Sequence, residues 1–361
     1  MGINDWIIII VVLFLCLGAL DKLFGNKFGL GERFTDGFET MGKLTLAMVG
    51  IISLAPVLAS VITPVIEPLY LLIGADPASF ANTLLALDMG GYALAAEMSL
   101  NVSAELFSWV FLGSMMGVTI VFTIPVALGI IHKEDHPFFA QGILIGLITV
   151  PIGCLIGGIV AGFELLMILK NLLIPIIISI LISIGLKWKM NAMIKGFTYF
   201  GKFIEGIAIV GLAAIAIETM TGFVVIPNMT PIEEGIQIVG TIALFLAGAF
   251  PMVKFIQLTL KKPLQKLGIR LGINDSATIG IISSFAHSIP MFAILKNMDN
   301  RGKVINVAFA VSGAFVFGGH LGFVAGIEQS MVFPMIVGKL AGGFSAVILA
   351  IVFLKKKKEN I

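Results

Sequence analysis

The stretch "LLALDMGGYALAAEM" occupies residues 84–98, and "SSFAHSIPMFAILKN" occupies residues 283–297. Each is an apolar run interrupted at its middle. The first interruption is Asp88-Met89-Gly90-Gly91 and the second is His287-Ser288-Ile289-Pro290. Glycine opens turn geometries closed to other residues. Proline removes a backbone donor and restricts the residue before it. If both segments cross the membrane, a carboxylate sits in mid-bilayer. If both turn back at these breaks, it sits at the tip of a hairpin.

That a membrane is involved follows from composition. The chain is 58% hydrophobic and 12% charged, against about 45–50% and about 25% for soluble domains. With a mean hydropathy of +1.08, it has too few charges to cover a soluble surface. A net charge of +2 gives no reason to expect a nucleic-acid partner. Cys16 and Cys154 lie in apolar runs and suggest neither a disulfide framework nor a metal site. The N-terminus, "MGINDWIIIIVVLFLCLGALDKLF", lacks a basic leader and a small-residue cleavage site, so it is read as a retained span.

A span needs about 20 mostly apolar residues. Eleven segments qualify, at about 5–22, 44–72, 77–98, 105–131, 138–162, 165–186, 203–223, 235–258, 275–298, 304–326 and 331–354. Residues 23–43 mix charge with Phe and Gly and are expected at the interface. Basic clusters lie at 22–43, 133, 187–202, 254–270, 296–303 and 355–358, while 70–78, 99–104, 221–234 and 327–330 contain no Lys or Arg. Eleven full crossings would scatter the basic clusters over both sides, against the positive-inside rule. If 77–98 and 275–298 re-enter instead, every basic cluster falls inside and the neutral loops fall outside. Lys170 is the exception. The expected architecture is therefore all-α and polytopic, with nine transmembrane helices and two re-entrant helical hairpins. The N-terminus is outside and the C-terminus cytoplasmic. Eleven full spans are the alternative.

Internal repetition supports the hairpins. Pro56 and Pro68 are twelve residues apart, as are Pro251 and Pro263. Leu72, Asp76 and Asp88 align without gaps on Leu271, Asp275 and His287, and "GCLIGG" at 153–158 matches "GKLAGG" at 338–343. Asp76 and Asp275 are the expected N-caps of the two hairpins. Residues 1–162 form a first repeat with hairpin 77–98, residues 163–202 a connecting span and cytoplasmic loop, and residues 203–361 a second repeat with hairpin 275–298. The first hairpin is entered from outside and the second from inside, which makes the repeats inverted, as in many secondary transporters.

Broken helices at membrane depth are tolerated where protein or water satisfies the freed backbone, and they mark substrate sites. A central Asp costs roughly +2.5 to +3.5 kcal/mol on insertion scales, so Asp88 calls for a cationic partner. The plainer alternative is a structural cap. Lys339, eight residues into its segment, is too deep to snorkel; it is a counter-charge that yields to a cationic substrate, or a static packing group. His287 and His320 are candidates for proton relay or hydrogen bonding. Asn82, Ser114, Thr119, Ser288 and Asn306 complete the candidate binding set, although Ser and Thr in such helices often bond their own backbone. Phe is abundant, with 28 residues; one or two could face an amine, but the sequence does not choose among them. No P-loop, HExxH, GxSxG or dinucleotide pattern occurs, and Asp88 has no second membrane aspartate for acid protease chemistry. No catalytic residue, cofactor or metal ligand is assigned.

"LLALDMGG", "GSMMGVTIVFTIPVALGII", "IPMFAILKNMDNRGKVINVAFAVSGAF", "GHLGF" and "FPMIVGKLAGG" together resemble the ethanolamine transporters of bacterial ethanolamine-utilisation operons. The likeness covers nearly the whole chain. It implies a multi-pass carrier or facilitator in the bacterial cytoplasmic membrane, supplying ethanolamine to a pathway housed in a microcompartment. Channel or sensor roles are the alternatives. H+ or Na+ as coupling ion, and assembly into a homo-oligomer, are left open. Two positions depart from the family pattern: Gly319 stands where an acid often precedes the histidine of "HLGF", and His287 where members can carry Asn. Protonated ethanolamine suits a buried carboxylate surrounded by hydroxyl, amide and imidazole groups.

Overall fold

The computed structural model describes residues 2–359. The side chains of Ile194, Leu260–Lys262, Leu264, Gln265, Leu267 and Lys355–Glu359 lie outside the description, and with them the C-terminal lysine cluster. Every regular element among the described residues is helical. In chain order these are α1 (Ile3–Leu23), α2 (Leu30–Leu44), α3 (Gly50–Leu72), α4 (Ala78–Leu84), α5 (Tyr92–Met98), α6 (Val102–Phe107), α7 (Ile124–Ile130) and α8 (His136–Val160). There follow α9 (Leu165–Thr221), α10 (Ile232–Leu271), α11 (Asp275–Ala286), α12 (Ser288–Ala293), α13 (Asn300–Gly313), α14 (Gly319–Ile327) and α15 (Val332–Glu359). π-helical turns occupy Thr45–Val49, Leu87–Gly91, Ser108–Gly117 and Thr119–Thr123.

Among the described residues, eight helices are long and apolar enough to cross a membrane: Ile3–Leu23, Leu30–Leu72, Val102–Ile130, Lys133–Val160, Leu165–Met193, Lys195–Thr221, Ile232–Thr259 and Gln329–Leu354. Their outward faces are apolar. Leu169, Leu173, Ile177, Ile180, Leu181 and Ile184 expose one such face of α9, which water would not tolerate over that area. The protein is a multi-pass membrane protein.

Two expectations are corrected. The segment 304–326 is not one helix. α13 ends at Gly313, residues 314–318 are unwound, and α14 begins at Gly319. The cause is local: Phe315 has φ +64°, and the Phe315 and Phe317 amides donate to the Ser284 and Phe285 carbonyls of α11 rather than to a helix of their own. Residues 187–202 are not a loop. They are helical throughout, apart from a break at Lys189 (φ −134°, ψ 44°). There the chain doubles back, since a Cβ on Gly185 would lie 2.6 Å from the Met193 sulfur. Residues eight apart in a straight helix are separated by about 12 Å. Residues 23–43 contain α2, an amphipathic helix. It packs along α10 and α1. Its N-terminus is held by Asp21, whose carboxylate accepts from the Phe28, Leu30 and Gly31 amides.

The two interrupted segments fold back on themselves, α4 on α5 and α11 on α12. Their bases are tied alike. Asp76 accepts from the Ala78 amide at 2.9 Å and the Leu100 amide at 3.0 Å. Burial raises the Asp76 pKa, while these amide bonds pull the other way. In the second hairpin the cap is Asn274, one residue before the expected Asp275. It accepts from the Ala277 amide at 2.9 Å, and its own amide donates to Asp299 at 2.8 Å. Lys170, the one misplaced cation, sits beside Gly74 at the C-terminal end of α3, where the helix dipole favours positive charge.

α8 and α15 cross at their glycines, and the contact is reciprocal. A Cβ on Gly153 would lie 2.8 Å from the Gly338 carbonyl oxygen, and one on Gly338 would lie 2.9 Å from the Gly153 oxygen. A Cβ on Gly157 would meet the Gly338 Cα at 3.1 Å, and one on Gly342 would meet the Gly153 Cα at 3.3 Å. Small residues let backbones approach in this way. At the start of α8, Asp135 pairs with Lys303 of α13 at 2.6 Å, with Phe138 beneath the ammonium group.

Candidate functional site

The first hairpin is broken at the expected place. α4 ends at Leu84, Leu85 and Ala86 are extended, and Leu87–Gly91 form a π turn with irregular dihedrals at Met89 and Gly90. Gly90 has φ +87°, and a Cβ there would collide with the Ile51 side chain, so no larger residue fits. Asp88 is half-buried on this turn. The ion pairs among the described residues are Arg33–Asp36 and Asp135–Lys303, and neither involves Asp88.

The second break is sharper. His287 is extended between α11 and α12, and its Nδ1 accepts from the Ile289 amide at 3.2 Å. Its ring lies edge-on to Phe122 at 5.9 Å and to Phe315 at 4.7 Å. Phe315 also covers His320, with centroids 4.9 Å apart. One phenyl ring therefore joins both candidate histidines. A bulky residue at positive φ costs roughly 1–3 kcal/mol and persists where its surroundings fix it, typically near functional sites.

His320 is 1% exposed, and neither ring nitrogen has a partner among the described residues. Ser288 is buried and its hydroxyl is also unpaired. Lys339 is fully buried and donates to the Ser114 carbonyl at 2.6 Å. That carbonyl belongs to the π-helical stretch 108–117. π geometry is rare and concentrates at functional sites. Here it leaves a carbonyl directed at a cation. The turn that carries Asp88 packs against the π-helical stretch 108–117, which holds the Ser114 carbonyl, and against α14, which holds His320.

Other candidates lie in the scaffold. Asn82 spans its hairpin, donating to the Gly91 carbonyl and the Ser108 hydroxyl, both at 3.0 Å. Asn306 donates to the Ala277 and Gly302 carbonyls at 2.9 Å, tying α13 to the second hairpin. Thr119 bonds the Met115 carbonyl at 2.6 Å, and the Ser114 hydroxyl bonds the Phe111 carbonyl at 3.3 Å.

Sequence reasoning did not single out Tyr92, Trp109 or Phe323. These rings form a mutually edge-on trio with centroids 5.3–5.9 Å apart. Tyr92 follows Asp88 by one helical turn, a spacing that could have flagged it. Nothing in the sequence separates Phe122 from the other phenylalanines. Two cavities approach the hairpin breaks from the segments that carry basic residues. One, of about 290 Å³, runs past Arg33, Asp36 and Lys254 to His287. The other, of about 510 Å³, runs past Lys43, Lys202 and Glu205 to Met89 and Phe122.

The family model described as "Ethanolamine utilisation protein, EutH" matches residues 3–353. The chain is 62% identical over 350 residues to "Uncharacterized protein YxeR" of Bacillus subtilis (strain 168), covering 97% of this chain and 95% of that one. It is 59% identical over 364 residues to "Probable ethanolamine permease EutH" of Listeria monocytogenes serotype 1/2a (strain 10403S), covering 100% and 98%. The protein of the same name from Salmonella typhimurium (strain LT2) is 43% identical over 394 residues, covering 99% and 97%. No solved structure matches the chain.

Proposed function

Because the chain belongs to the EutH family of ethanolamine utilisation proteins, we propose that it carries protonated ethanolamine across the bacterial cytoplasmic membrane, with Asp88 as the counter-charge. The observation that carries this reading is Asp88 on a broken hairpin tip, without a basic side chain paired to it among the described residues. Two relatives matched along nearly their whole length are named as ethanolamine permeases. A carboxylate at that depth needs positive charge, and an ammonium group supplies it. The partnerless nitrogens of His320 and hydroxyl of Ser288 suit the substrate hydroxyl.

Residues 77–98 and 275–298 act as re-entrant hairpins of two inverted repeats. The similar ties at their bases support this. So does the reciprocal Gly153–Gly338 crossing, the kind of self-complementary contact a two-fold axis generates. With the broken α13–α14 segment as a ninth crossing the termini lie on opposite sides, and the positive-inside rule favours an outer N-terminus and a cytoplasmic C-terminus. Both cavities then open inward. H+ or Na+ is the candidate coupling ion.

The experiment is exchange in proteoliposomes. A carrier shows saturable uptake of labelled ethanolamine that unlabelled ethanolamine inside the vesicle accelerates. An imposed pH or Na+ gradient identifies the coupling ion. Flux that never saturates and ignores internal substrate would overturn the carrier reading in favour of a pore.

A further inference from the structure

We propose that Phe122 is the ring that receives the substrate ammonium beside Asp88, through cation–π contact. The proposal deepens the carrier reading and rests on it.

The placement comes first. Met89 and Phe122 line the same 510 Å³ cavity, and Met89 is the residue after Asp88 on the hairpin tip. A cation leaving or reaching Asp88 through this cavity passes the Phe122 ring. The ring is also held in place. It lies 5.9 Å from His287 of the second hairpin and 5.8 Å from Phe315 of the unwound link, edge-on to both. Phe122 therefore bridges the two broken segments, and its backbone sits in a π-helical turn.

Charge then narrows what the ring can do. The charged side chains facing the cavity are Lys43, Lys202 and Glu205. Two cations against one anion repel a cationic ligand at the mouth rather than hold it. Much of the remaining wall is apolar, including Ile51, Val121 and Ala208. Attraction at the inner end is left to the carboxylate and to a π face, whose quadrupole favours cations most when water is excluded.

The neighbouring aromatics are poorly placed for this role. Trp109 is 1% exposed, Phe323 is 0% exposed and Phe315 is 6% exposed. Each is packed against other rings. Phe122 is only partly buried and lines open space.

The test replaces Phe122 with mono-, di- and trifluorophenylalanine in the full-length protein. Fluorination drains the ring face progressively and changes its shape little, so folding is preserved. KM and maximal rate for labelled ethanolamine are measured in proteoliposomes. The expected result is a stepwise rise in KM, in total roughly two- to thirtyfold. Phe122→Trp retains uptake, whereas Phe122→Leu raises KM. A KM flat across the fluorinated series overturns the role of Phe122 and leaves the carrier reading intact. A parent protein that moves no ethanolamine overturns both.

Discussion

At the scale of single residues, two charges define the site, and they are treated differently. Lys339 is fully buried and commits its ammonium to one backbone carbonyl, that of Ser114. Asp88 keeps its carboxylate on a turn with no basic partner in contact among the described residues. Replacing Lys339 by Met leaves the Ser114 carbonyl unpaired in a dry site, a loss of about 1–3 kcal/mol. Thermal unfolding in detergent should show a lower melting temperature for Lys339→Met and a smaller drop for Lys339→Gln, which can still donate. A melting temperature unchanged by Met would mean that the bond contributes nothing. Both buried charges are legible in the sequence, because an ionisable residue deep in an apolar run is conspicuous. The acceptor for Lys339 is not. It is a main-chain oxygen made available by π geometry, and backbone carbonyls leave no mark on a side-chain pattern.

At the scale of elements, the hairpin breaks are legible because Gly90-Gly91 and Pro290 punctuate apolar runs. The shared order of Asp76, Asp88 and the proline pairs places them in register. The unwound link at 314–318 is hidden, although Gly313 and Gly319 flank it and Gly318 closes it. Its decisive feature is a phenylalanine in the left-handed region, which no propensity favours. The lysines around Lys189 look solvated and suggest a loop; the chain instead reverses within a helix. The glycines of "GCLIGG" and "GKLAGG" match in sequence as a repeat, and in the fold they touch one another. Gly338→Ala drives a methyl against the Gly153 carbonyl and the Gly157 backbone, and overpacking of this kind costs about 1–3 kcal/mol. A methyl on Gly129 meets nothing within 4 Å, so Gly129→Ala should leave stability equal or slightly higher. Equal melting temperatures for the two variants would remove the α8–α15 contact from the account.

At the scale of the molecule, each broken hairpin contributes to a cavity that basic residues also line: His287 with Arg33 and Lys254, and Met89 with Lys43 and Lys202. The Tyr92–Trp109–Phe323 trio packs ring against ring inside the bundle. In the proposed orientation, both cavities open toward the cytoplasm. Transport then requires the hairpins to move against the surrounding bundle while Asp88 holds the ammonium. The most direct measurement is the initial rate of labelled ethanolamine uptake by Asp88→Asn in proteoliposomes at mildly acidic pH, beside the parent protein and Asp88→Glu. Losing a charge-assisted bond worth about 1.5–3 kcal/mol should lower uptake efficiency roughly tenfold or more in Asn, with partial retention in Glu. Asp88→Asn transporting at the parent rate, from protein of equal melting temperature, would contradict the account.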